Sequence, residues 1–123
     1  MSKGIFRDST RKVSDGTTPI DVVLKRFPTN RQGVMRYITV ENETNNFTRL
    51  LIGIRDIDQV HWLADKVGAA AGTKYWISDD VPIEDGEEII ARFTGTTSGD
   101  VLTVTARGWM WPAKEMMSDA TPP

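Results

Sequence analysis

The sequence predicts an all-β protein, a two-layer antiparallel β-sandwich of about seven strands. Apolar and polar residues alternate with period two through residues 34–55 and 88–107, the signature of strands with one buried face. Clusters of Gly, Asn, Asp, Thr and Pro punctuate the chain between these short segments, as in a sandwich or barrel rather than in alternating strands and helices.

In chain order, Ile20 to Phe27 is the first candidate strand, with Ile20, Val22 and Leu24 on one parity, Val23 and Phe27 on the other, and Pro28 as its end. After the polar stretch 29–33, Val34 to Glu41 carries Val34, Ile38 and Val40 on one face, interrupted by Arg36, and Met35, Tyr37 and Thr39 on the other. A polar turn, Asn42 to Asn46, leads into Thr48 to Arg55, where Leu50, Ile52 and Ile54 alternate with Arg49, Leu51, Gly53 and Arg55. These two segments are expected to pair as a hairpin. A strand over 59–63 and a loop over 65–72 are expected next, because Trp62 suits a pleated surface and the neighbours are β. The alternative is a short helix: Val60, Leu63, Ala64, Val67 and Ala71 fit a helical stripe that Asp58 would cap and Gly68 would end.

Thr73 to Ser78 places Tyr75 and Ile77 opposite Lys74 and Trp76, and Val81-Pro82-Ile83 runs into the Glu84-Asp85-Gly86 turn. Glu88 to Thr94 sets Ile89, Ala91 and Phe93 against Glu88, Ile90, Arg92 and Thr94. Past the small-residue turn 95–100, Val101 to Arg107 sets Leu102, Val104 and Ala106 against Val101, Thr103, Thr105 and Arg107. This pair is expected to form a second hairpin.

The organisation expected is a β-sandwich domain over residues 20–108 between an N-terminal arm, residues 1–19, and a C-terminal tail, residues 109–123. The arm has only Ile5, Phe6 and Val13 as sizeable apolar groups, too few to bury as an independent unit. The tail carries two of the four tryptophans and three of the five methionines, which is too apolar for a solubilising extension.

Composition removes most chemistry. The 123 residues carry 15 Lys+Arg against 17 Asp+Glu, a net charge of -2, so the dispersed basic residues do not make the stripe that nucleic acid needs. With no cysteine, disulfides, thiolate zinc sites and cysteine nucleophiles are excluded. One histidine, His61, leaves no multi-histidine metal site and a single general base of its type, read as a surface residue. The acidic groups Asp79-Asp80 and Glu84 to Glu88 lack the ligand spacing of a calcium loop and read as solvated turn carboxylates. Neither a Walker A pattern nor a G-x-G-x-x-G follows a strand, and no run approaches the ~20 apolar residues of a spanning helix. No secretory signal is expected, so the sequons Asn42-Glu43-Thr44 and Asn46-Phe47-Thr48 read as turn chemistry. The protein is therefore expected not to be an enzyme and to hold neither cofactor nor metal, with no small-molecule substrate, no nucleic acid and no membrane among its partners.

What remains are the ends. Ile5, Phe6, Arg7 and Arg11 in the arm and Trp109, Met110, Trp111, Met116 and Met117 in the tail are the expected partner-binding residues, since aromatic, methionine and arginine side chains concentrate at interface centres. Trp109 and Trp111 share a parity after Gly108 and before Pro112, so both rings project from one side of an ending strand; closing the domain's own core is the alternative use for them.

From Arg36 to Gly108 the sequence resembles small β-sandwich virion proteins of tailed bacteriophages. The resemblance lies in Arg-Tyr-Ile-Thr-Val-Glu-Asn-Glu, Ala-Gly-Thr-Lys-Tyr-Trp, Pro-Ile-Glu-Asp-Gly-Glu-Glu-Ile-Ile-Ala-Arg-Phe-Thr-Gly and Gly-Asp-Val-Leu-Thr-Val-Thr-Ala-Arg-Gly. It implies a jelly-roll-like sandwich and structural work in a virion made in the host cytoplasm. It also implies capsid, connector or tail subunits as partners, in a homo-oligomer or a many-copy assembly. A decoration protein and a head–tail or tail adaptor both fit. A carbohydrate- or receptor-binding sandwich, with Trp62, Tyr75 or Trp76 as an exposed stacking platform, is the alternative.

Overall fold

The structure, a computed structural model, describes residues 4–57, 59–77 and 80–112. Among these residues the regular elements are all strands: β1 (Gly4–Val13), β2 (Ile20–Val23), β3 (Arg31–Asn42), β4 (Phe47–Arg55), β5 (Val60–Ala69), β6 (Tyr75–Ile77), β7 (Val81–Glu84), β8 (Glu88–Thr94) and β9 (Val101–Pro112). They form two antiparallel sheets. One has the order β1-β9-β3-β6, with β7 also on β3; the other has the order β2-β8-β4-β5.

Tyr75 to Ile77 and Val81 to Glu84 pair with successive stretches of β3, so β6 and β7 are two halves of one interrupted edge strand. Taken so, the described residues make eight strands that cross repeatedly from sheet to sheet, which is the jelly-roll arrangement. The apolar alternation explains the closure of the sandwich. Met35, Ile38, Val40, Leu102, Val104 and Ala106 from the first sheet meet Val22, Leu50, Ile52, Ile89, Ala91 and Phe93 from the second in one core. Each large side chain so buried contributes roughly 1.5–3 kcal/mol. Phe47 and Phe93 lie 5.2 Å apart within it, and Phe6 of β1 lies 5.1 Å from Phe27 at its rim.

One end of the sandwich is closed by polar groups. Asp100, fully buried, accepts hydrogen bonds from the Asn42 side chain at 2.9 Å, from the Thr97 backbone at 2.9 Å and from Asn45. Asn42 in turn accepts from the backbone N–H groups of Thr44 and Asn45, which makes the first sequon part of a turn. Ser14 and Thr96, also buried, share a 2.9 Å hydrogen bond beside them.

Several expectations change. The two hairpins do not form: β3 and β9 lie in one sheet, β4 and β8 in the other, and the consecutive strands that pair are β4 and β5. Alternation identifies a strand, but its partner is set by which inner face it must cover. Residues 60–69 form one ten-residue strand, so neither the expected loop over 65–72 nor the alternative short helix occurs there. Most importantly, residues 4–13 are not an arm. They pair with β9 from Gly4 opposite Met110 to Val13 opposite Val101, and β9 itself runs through Trp109 to Pro112, so the first part of the tail belongs to the sheet. The segment needs no core of its own, because β9 supplies its hydrogen bonds and Phe27 the contact for Phe6.

Candidate interaction face

The strand register arranges the outer face of the β1-β9-β3 sheet in rows. Ile5, Trp109, Val34 and Pro82 stand side by side across β1, β9, β3 and β7. One pleat repeat along, Arg7, Arg107 and Tyr37 form the next row. Ser9, Thr105, Thr39 and Trp76 form the third, where the Ser9 and Thr105 hydroxyls are hydrogen-bonded at 2.9 Å. Arg11, Thr103 and Glu41 form the fourth.

A β-bulge shapes the centre of this face. The β3–β9 register shifts between Met35 and Tyr37, so that Arg36 is the extra residue and both Arg36 and Tyr37 are exposed while Met35 turns into the core. Gly108 lies opposite Met35, and a Cβ there would collide with the Val34 carbonyl and come within 2.7 Å of Met35 Cα. The bulge therefore demands glycine. Around it, Ile5, Arg7, Arg36, Tyr37, Arg107, Gly108 and Trp109 line a shallow depression of about 260 Å³.

Charge is distributed unequally between the two outer faces. On the β2-β8-β4-β5 sheet the arginines are held by carboxylates: Arg49 by Asp65 at 2.7 Å, Arg92 by Asp21 at 2.7 Å and Arg55 by Glu88 at 3.1 Å. The Arg49 hydrogen bond holds Asp65 below the usual carboxylate range, and the Asp21 hydrogen bond raises Arg92 above its ordinary value. Arg92 also lies 5.0 Å over the Trp62 ring, and Trp62 covers Gly53. On the opposite face Arg11 is paired with Glu43 at 3.1 Å and Arg36 with Asp80 at 3.3 Å. Arg7 and Arg107, directly across from each other, have neither ion pair nor hydrogen bond to a side chain among the described residues.

The structure thus brings together residues that sequence reading assigned to opposite ends. Ile5 and Trp109 are cross-strand neighbours, Arg7 and Arg11 stand on the same face, and Trp111 follows on that face opposite Gln32. Phe6 and Met110 point the other way and pack against the core. Met116 and Met117 lie outside the described residues. Tyr37 and Arg107 are additions. Arg107 shares the parity of Trp109 in the sequence, but Arg7 and Tyr37 join it through pairings across about 100 and 70 residues that no local pattern discloses. Of the expected aromatic platform, Tyr75 packs edge-on to Phe47 and accepts a hydrogen bond from the Ala70 N–H, Trp62, 37% exposed, has the Arg92 guanidinium over its ring, and Trp76, 60% exposed, is the most open of the three.

No family model matches the chain. A phosphoribosylformylglycinamidine synthase subunit PurL from Methanopyrus kandleri is 24% identical over 91 residues, 72% of this chain, and the match spans 13% of that protein's length. Among solved structures, a chain from the infectious bursal disease virus Gt strain matches over 88% of this chain and 31% of its own, with TM-score 0.46 and 12% identity. The N-terminal cellulose-binding domain of Cellulomonas fimi β-1,4-glucanase C matches over 85% and 76%, with TM-score 0.39 and 11% identity. At this level of similarity neither carries a role over to this chain.

Proposed function

We propose that the chain is a non-enzymatic structural subunit of a virus particle, of the tailed-phage decoration or adaptor kind its sequence resembles, which docks onto neighbouring virion subunits in many copies through the outer face of the β1-β9-β3 sheet. The observation that carries this reading is the contrast between the two outer faces. One has its arginines neutralised by its own carboxylates; the other presents two uncompensated arginines beside exposed Ile5 and Tyr37, 61% and 53% accessible. Arginine and aromatic side chains left open together are the composition of an interface centre. A jelly roll suits the role because it is a rigid slab with flat faces, and it recurs in capsid and lectin domains. The non-enzymatic part of the reading rests on composition, no cysteine and a single histidine, His61, which lies exposed on β5.

The test is incorporation into the native particle. Arg107→Glu is expected to keep the wild-type melting temperature and to lose most of its incorporation; unchanged incorporation would remove this face from the proposal. A second reading, a carbohydrate-binding module, is favoured by one observation. Tyr37 and Trp76 stand one row apart on the same open face, a pair of rings on which sugars stack. Saturable glycan binding by isolated protein, lost in Trp76→Ala, would establish it in place of the first.

A further inference from the structure

We infer that the Arg7–Arg107 pair reads a carboxylate, and that the partner segment is an extended strand carrying Asp or Glu with a large apolar residue two positions away. The inference rests on the docking reading above and names the chemistry of the partner. Arg7 and Arg107 are direct cross-strand partners, which brings their Cβ atoms to about 5 Å, a like-charge juxtaposition that is unfavourable unless an anion bridges it. Of the nine arginines, Arg11, Arg36, Arg49, Arg55 and Arg92 are paired with carboxylates among the described residues; Arg26 and Arg31 are not, and neither are Arg7 and Arg107, which alone of these four stand directly opposite each other on the outer sheet face. The planar guanidinium fork matches a carboxylate in bidentate geometry. The bulge sets the exposed Tyr37 next to Arg107, and the depression over Gly108 leaves room for a short acidic side chain among them.

The spacing to the apolar row specifies the rest. Ile5 and Trp109 stand two residues from Arg7 and Arg107 along their strands, ~7 Å away. In an extended partner, residues i and i+2 point to the same side at that same separation. A carboxylate seated between the arginines therefore places the side chain two positions away on Ile5, Trp109 and Val34.

The test uses full-length protein and two capped heptapeptides, acetyl-Thr-Leu-Thr-Glu-Thr-Leu-Thr-amide and the same peptide with Gln for Glu, followed by amide and indole NMR shifts. The Glu peptide is expected to shift Arg7, Tyr37, Arg107 and Trp109, with at least tenfold weaker binding for the Gln peptide and for Arg107→Glu protein. Equal binding of the two peptides, or saturation of the same signals by inorganic phosphate as tightly as by the Glu peptide, would overturn it. Peptide binding with unimpaired particle incorporation of Arg107→Glu would sink the assembly reading alone. Lost incorporation without peptide discrimination would sink the carboxylate inference and leave the assembly reading standing.

Discussion

Asp100 shows how much a single side chain holds. Burial, the largest influence, pushes its carboxyl up, but the donors on Asn42, Thr97 and Asn45 together outweigh it and keep the group below the usual carboxylate range. A folded-state value below the unfolded one contributes stability that is present above the unfolded pKa of about 3.9 and is lost as pH falls through the folded one. Asp100→Asn is accordingly expected to lose about 2–3 kcal/mol at neutral pH, because its amide turns a donor towards donors, and to show a flatter acid limb below about pH 4. Urea titrations from pH 7 to pH 2.5 check both; an unchanged neutral stability would mean that the turns are held by something else. Trp109 makes a different demand. Standing between Ile5 and Val34 on the open face, it is expected on replacement by alanine to weaken partner association by ~2 kcal/mol. A calorimetric scan of the same variant distinguishes this from the ~3–5 kcal/mol stability loss that a core tryptophan would show.

Elements were legible where one face is buried and obscure where the chain departs from regular alternation. Residues 88–94 and 101–107 read correctly because Ile89, Ala91, Phe93, Leu102, Val104 and Ala106 keep strict period two. In β3 the pattern misled. Val34, Ile38 and Val40 share a parity, yet the bulge after Met35 puts Met35, Ile38 and Val40 inside and Val34 outside, and a one-residue insertion leaves no local mark beyond the misplaced Arg36. The bulge and Gly108 are a matched pair, so Gly108→Ala is expected to cost more than the usual alanine gain, roughly 2–3 kcal/mol by overpacking, with the loss concentrated in the amide exchange protection of residues 33–38. Protection at wild-type level would show that β9 shifts to accept the methyl group. The N-terminal strand was the larger omission: its residues are mostly exposed, and its apolar contribution is Phe6 alone, so composition marked it as an arm when hydrogen bonding makes it a sheet edge. Removing residues 4–13 is expected to lower the melting temperature by several degrees and expose the backbone edge of β9, producing concentration-dependent association; a monomer of unchanged melting temperature would mean that β1 is dispensable.

At the scale of the molecule, the jelly roll was anticipated as a class and its wiring was not, because the pairings that define it join β1 to β9, β3 to β9 and β2 to β8, all remote in sequence. Such topologies fold slowly, since loops must close before distant contacts stabilise them. Refolding is expected in the millisecond-to-second range with a circular dichroism spectrum dominated by strand; microsecond refolding or substantial helical signal would contradict the wiring. Synthesis on the ribosome sharpens the point. Among the described strands, β1 is made before all the others, and its sheet partner there, β9, after all the others. Until β9 emerges, a ten-residue strand waits with its hydrogen-bonding edges open, the condition in which strands pair with the wrong neighbour. Arg7, Asp8, Arg11 and Lys12 are the charges that discourage such pairing. Arg7 thus bears on two stages, discouraging mispairing while β9 is still to come and then standing across from Arg107 on the open face of the folded sheet.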